Sequence, residues 1–431
     1  MSRTLPAAAR ARAAPRPGPM PGRVVGLVAA LVAGFVAIRL QVGSVGGFVL
    51  AGGDFVDPAT APAELTITPG GGYDGQFVYR LALDPLTTVE SAYGIRFDAP
   101  GYRQQRIATA ALAWLVALLP GVSTGVALIT VNALAVLAAA WFGVRLAVDA
   151  GRHPAWGAVV GLPAFLPISL GRDLTEPLAW AGVLAGLWCA RRRRWPAAAA
   201  ALTVAVLARE TSLLVVAGLA LVELPGLLHS AGTRRRAGAP GPATRTPDAV
   251  RAVRPERRAD VGGLGRLAWL ATPAAAALAW QAWLWQAWGS PAFGRGPGNN
   301  LAGVPGLGVL DTLLTGTPAS SAGLSTEPLV RLAWGVERVA LLALIGYAAV
   351  ALARGWSRTG TGERVAWALA VLLALSLRGW AYDVQFLRAA AEATGLSLLV
   401  ALGDRGRWGR LALAGGAAMT GCVAVQYALL P

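Results

Sequence analysis

The sequence predicts an all-α fold: a polytopic transmembrane helix bundle of about eleven spans, with a long first external loop and one re-entrant or interfacial helix. Three observations predict it. Hydrophobic residues make up 55% of the 431 and charged residues only 14%, whereas a water-soluble domain carries about 25% charged residues. Apolar runs recur from Val24 to Leu430, several of them near the ~20 residues that a bilayer-crossing helix needs. These runs are rich in Ala and Leu and lack two-residue alternation, which argues against membrane strands.

Residues 1–23 hold Arg3, Arg10, Arg12 and Arg16 among Pro and Ala, a pattern expected of a disordered cytoplasmic tail ahead of an uncleaved first helix. An N-terminal membrane module follows over 24–228. Its first apolar segment, 24–40, leads into the long loop 41–105. Further segments cover 107–119, 125–148, 154–170, 177–190, 196–207 and 212–228. A basic linker of little expected order, 229–266, separates this module from a C-terminal one over 267–431. Segments there cover 267–288, 332–353, 365–377, 389–402 and 411–429.

Arginine assigns the sides. Clusters at 191–194, 234–266, 354–364 and 405–410 are expected in the cytoplasm. The opposite face then receives the loop 41–105 and the polar breaks 171–177, 208–212, 289–331 and 378–388. Segment 107–119 is short, about 20 Å as a helix, so parity makes it the re-entrant or interfacial one. If it crossed, Asp74 would lie on the other face from Glu176 and Glu210.

The net charge of +16 does not imply nucleic acid, because the arginines sit in short clusters between apolar segments. Cys189 and Cys422 lie in apolar segments far apart, and His153 and His229 flank segment ends. Neither pair suggests a metal centre. Tryptophans such as Trp280, Trp283, Trp285 and Trp288 suit an interfacial belt. The glycines of 262–265 follow no strand and make no phosphate loop.

The stretch GGYDGQFVYRLALDP at 71–85 places acids, an arginine, an amide and three aromatic rings between apolar segments. If a helix starts after Gly75, Gln76 and Arg80 share a face, as do Tyr79 and Leu83. Asp74 then stands at the helix start, where a plain N-cap would account for it. The adjoining Tyr73 and the other external charges point instead to a polar site. Asp173 and Glu176 precede Pro177 and suit either a first helical turn or that site. Arg209 and Glu210 read as an interfacial ion pair or as part of the same cavity. Tyr102, Arg103 and Arg106 suit interfacial anchors or a grip on a lipid phosphate. Arg388 is also a candidate cation for the polar cavity, but Arg388 and Glu392, four apart, read most simply as an intrahelical pair.

YDGQFVYRLALDP at 73–85 resembles the first-external-loop motif of integral-membrane glycosyltransferases of the C-type fold, particularly the mannosyltransferase-like branch. YRQQRIATAAL at 102–112, DLTEPLAWAGVLAGL at 173–187 and LARETSLL at 207–214 resemble pieces that recur in such proteins. The resemblance covers roughly 71–228, and the C-terminal half matches only in hydropathy. The long basic linker departs from typical members, and no large C-terminal external domain is expected, a second departure.

The resemblance implies a multi-pass enzyme of the inner (plasma) membrane. Its donor is a polyprenyl-phosphate sugar, and its acceptor a hydroxyl on a lipid, glycan or protein. Asp74 is implied as general base. Substrate-binding residues are expected among Tyr73, Gln76, Tyr79, Arg80, Arg103, Arg106, Asp173, Glu176, Arg209 and Glu210. A divalent metal is compatible but not demanded, and no other cofactor is expected. A transporter or lipid flippase is the alternative, although it would favour charges near the midplane and internal repeats.

Overall fold

The computed structural model describes residues 20–237, 257–292, 304–315, 328–377, 380 and 385–429. The tail up to residue 19 and the middle of the basic linker lie outside them, as do Arg378 and Asp383 of the 378–388 break.

Helices dominate. α1 (Met20–Gly43) precedes a folded loop that holds α2 (Gly46–Val49), α3 (Gly75–Leu83) and α4 (Pro100–Gln104). Next come α5 (Ile107–Ala117), α6 (Thr124–Asp149), α7 (Pro154–Gly161), α8 (Phe165–Leu170), α9 (Glu176–Arg191) and α10 (Trp195–Ala208). A single 3-10 turn, Glu210–Ser212, leads into α11 (Leu213–Ala237) and α12 (Arg257–Trp288). The C-terminal part contains α13 (Leu307–Thr315), α14 (Pro328–Ala353), α15 (Thr361–Leu375), α16 (Gln385–Ala389), α17 (Ala391–Gly403) and α18 (Arg407–Leu429). Sheet among the described residues amounts to two short pairings. Ala51–Gly52 runs parallel to Ile67–Thr68, and Ser91–Ala92 antiparallel to Ile95–Arg96.

Among the described residues, four helices are long and apolar enough to cross a membrane: α1, α6, the Arg331–Ala353 part of α14, and α18. Three shorter ones are also apolar: α5, α10 and α17. At 11 residues, α5 is only about 17 Å long, consistent in length with the short helix expected at 107–119.

Three expectations need correction. Segment 154–170 is two helices, not one. Leu162 leaves helical geometry (φ −124°, ψ 55°) ahead of Pro163, as the clash of a proline ring with its predecessor demands. The linker 229–266 is helical at both ends, since α11 runs to Ala237 and α12 begins at Arg257. Arg, Ala and Leu favour helix, so each apolar helix continues past its last lipid-compatible residue. The break 289–331 contains α13, where Leu307, Leu310 and Leu314 recur at the spacing of one helical face.

The first loop has a core of its own. Val49, Val56, Phe77, Ile95 and Phe97 are buried with Ala110 and Ala113 of α5 and Leu128 of α6. Phe55 meets Phe77 edge to face at 5.4 Å, a preferred geometry for aromatic pairs. Burying these rings fastens the loop to the bundle and sets where α3 begins. α9 runs through the main core and packs against α6 and α10.

Candidate active site

The backbone around Asp74 is fixed by two glycines. Gly72 takes a left-handed φ of +62°. A Cβ there would lie 2.4 Å from the Gly52 nitrogen. At Gly75 a Cβ would lie 2.3 Å from the Arg172 carbonyl and 2.8 Å from that of Val49. Only glycine fits either position. The start of α3 is thereby pressed against the turn that leads into α9.

Asp74 is the N-cap of α3, but its side chain makes no capping bond. The carboxylate turns outward instead. Oδ1 accepts from Arg103 Nη1 at 2.7 Å, and Oδ2 accepts from Arg388 Nη2 at 3.0 Å. Burial alone would raise its pKa. The guanidiniums of Arg103 and Arg388, with Arg106 behind them, outweigh that and hold it well below the usual carboxylate range.

Each cation has further partners. Arg103 donates Nε to Asp98 at 2.7 Å and Nη2 to the same carboxylate at 2.5 Å. Its guanidinium lies over Phe77, 4.4 Å from the ring centre, a cation–π distance. Arg388 donates to Glu176 Oε1 at 2.9 Å and to the Tyr73 hydroxyl at 3.0 Å. Arg106 grips Glu210 with two bonds, 2.9 and 2.7 Å. Arg209 pairs with Glu176, approaches Glu392 at 3.3 Å and donates to the Arg388 carbonyl at 2.6 Å. Arg103, Arg209 and Arg388 therefore link Asp74, Asp98, Glu176 and Glu392 in one chain of ion pairs, and the Arg106–Glu210 pair stands separately.

A cleft opens beside this network. Asp74, Arg103, Arg106 and Arg388 line it, with Phe77, Val78 and Tyr102 as its less polar wall. Asp74, Phe77 and Val78 form one stripe of α3 at spacings of three and four.

Six of the expected residues join Asp74 here: Tyr73, Arg103, Arg106, Glu176, Arg209 and Glu210. Four do not. Gln76 spans the loop, accepting from the Gly52 nitrogen at 3.0 Å and donating to the Gly71 carbonyl at 2.8 Å. Tyr79 donates to Glu64 at 2.6 Å. Arg80 donates to Thr87 at 2.9 Å and stacks with Tyr93 and Phe97. All three sit on faces of α3 turned from the cleft and are almost fully buried. Asp173 has a left-handed φ of +49°, which turns its carboxylate to Asn132 at 3.3 Å and away from Glu176. These four support the scaffold.

Arg388 was the residue undervalued in sequence. Its supposed intrahelical pair with Glu392 does not form, because α16 ends at Ala389 and α17 begins at Ala391. Arg388 faces Asp74 and Glu176, while Glu392 accepts from Thr211 at 2.5 Å. The polar break at 378–388 was the available signal. Arg209 and Glu210 likewise bind partners on other helices instead of each other.

No family model, curated protein or solved structure matches this chain. Among the described residues, no three His, Cys, Asp or Glu side chains gather as a metal-ligand group. The cleft offers an ionised carboxylate and three guanidiniums, fitting a substrate that brings both a hydroxyl and an anion.

Proposed function

We propose that this chain is a multi-pass glycosyltransferase of the inner (plasma) membrane, with about eleven crossings. It moves a sugar from a polyprenyl-phosphate donor to a hydroxyl of a lipid, glycan or protein at the external face. The observation that carries the reading is the convergence of Asp74 with Arg103, Arg106 and Arg388 in one cleft of an apolar helix bundle.

In this reaction Asp74 takes the proton of the acceptor hydroxyl. The acceptor oxygen forms a bond to the anomeric carbon as the bond from that carbon to the phosphate oxygen breaks. The electron pair leaves on the phosphate, and the displacement inverts the anomeric centre. Arg103, Arg106 and Arg388 face the growing negative charge, where fixed cations act most strongly. Arg209 is not assigned this role, because its guanidinium is closed in by Glu176, Glu392 and the Arg388 carbonyl. It holds Glu176, which in turn orients Arg388. A divalent metal is compatible with this scheme, and no step runs through one.

The test uses purified protein and a labelled polyprenyl-phosphate sugar. Asp74→Asn should lower transfer by about 10²- to 10⁴-fold, the usual contribution of a general base. Full activity in that variant removes Asp74 as the base. Wild-type protein that moves labelled lipid across a vesicle bilayer without transferring sugar supports the flippase alternative.

A further inference from the structure

The two partners of Asp74 are anchored elsewhere, while Asp74 itself is not. Releasing Asp74 leaves Arg103 with both bonds to Asp98 and Arg388 with Glu176 and Tyr73. Among the described residues no other donor reaches the Asp74 oxygens. Asp74 is also the most open of the three, with its side chain 31% exposed against 10% for each arginine. Its carboxylate therefore fills the space between two cations that stay in place without it. That space borders the third cleft cation, Arg106, whose charge Glu210 holds from behind.

A phosphate matches the same donors. Its oxygens accept from guanidinium N–H groups as a carboxylate does, with greater charge. We propose that the donor phosphate and the Asp74 carboxylate compete for Arg103 Nη1 and Arg388 Nη2, so that donor binding uncovers the base. The proposal rests on the transferase reading above. Before the donor arrives, both carboxylate oxygens are bonded to cations and accept a proton poorly. Once phosphate oxygens occupy those N–H groups, Asp74 is left beside an anion, which favours taking a proton from the acceptor hydroxyl. Asp98, Glu176 and Tyr73 keep the guanidiniums aimed throughout.

The competition is tested by binding, independently of turnover. The full chain in detergent is titrated with farnesyl phosphate and, separately, with inorganic phosphate. Wild type is compared with Asp74→Asn and Arg388→Gln, and melting temperatures are measured in parallel. Removing the competing charge should tighten farnesyl phosphate binding in Asp74→Asn by about ten-fold, and Arg388→Gln should weaken it by a similar factor. Structural damage would not tighten binding. If Asp74→Asn melts markedly lower than wild type, Asp74→Ser takes its place and must show the same gain.

Tightening for farnesyl phosphate alone assigns the site to a lipid phosphate. Tightening for both ligands supports competition at a site that reads the phosphate itself. Unchanged or weaker binding in the neutral variants overturns the competition, even if wild type transfers sugar. Tightening in a protein that transfers no sugar keeps the competition and sinks the transferase reading.

Discussion

α9 has an ion-pair network at each end, and the two differ in kind. At its start, Glu176 takes Arg209 and Arg388 together, and Arg388 goes on to Asp74. At its end, Arg191 grips Glu363 of α15 at 2.6 and 2.7 Å, and Arg192 grips Asp149 of α6 at 3.1 and 2.8 Å. The second set consists of bidentate pairs, each tying α9 to one neighbour. The first set shares its cations among several acids and surrounds an accessible carboxylate. Ion pairing alone therefore does not mark a site. Shared cations beside an open cleft are the more telling pattern.

The sharpest way to break this contrast is Glu176→Ala. It leaves Arg209 without its main partner and removes an anchor from Arg388, both almost fully buried. Breaking a buried pair in this way costs about 3–5 kcal/mol, so thermal unfolding in detergent should show a large drop in melting temperature. A drop no greater than that of a surface substitution would mean the network is not cooperative.

Next in size is Arg388→Gln. Transfer from the labelled donor should fall about 10²- to 10³-fold, as when one transition-state donor is lost. The expected loss is in kcat/KM, read on protein that a melting curve shows to be folded. At the other end of α9, Arg192→Gln should change stability by about 0–1 kcal/mol, since that pair is substantially exposed. A loss of transfer there would blur the distinction between the two ends.

The smallest effect is the pH response. The pKa of Asp74 is depressed in the fold, because its cations outweigh its burial. Its pairing therefore stabilises the protein above the unfolded value near 4 and fades as pH falls toward the lower folded value. Melting curves from about pH 7 to about pH 3 should fall more steeply for wild type than for Asp74→Asn. Parallel curves would mean that the carboxylate gains nothing from its partners.

The helical class was legible because composition and run length report long apolar helices directly. The convergence of Asp74, Glu176 and Glu210 was also legible, because charged breaks between apolar segments have few places to go. The faces of α3 were not. Grouping Gln76 with Arg80 follows a valid helical stripe, but the cleft uses the neighbouring stripe of Asp74, Phe77 and Val78. Spacing says which side chains share a face, whereas tertiary packing selects the face. Asp173 escaped for a different reason: a positive φ in a non-glycine residue is a tertiary outcome that spacing does not disclose. Arg388 was misread because a helix boundary between Ala389 and Ala391 separates residues that a continuous helix would have paired.

The bond from Arg388 to Asp74 spans 314 positions of the chain. At a translation rate of about 5–20 residues per second, roughly 15–60 s separate the appearance of the two side chains. A nascent chain that has already folded its first loop still lacks one of the two cations on its aspartate. The cleft is thus completed late in synthesis, and a ribosome-bound or prematurely stopped product would hold the aspartate without its full clamp.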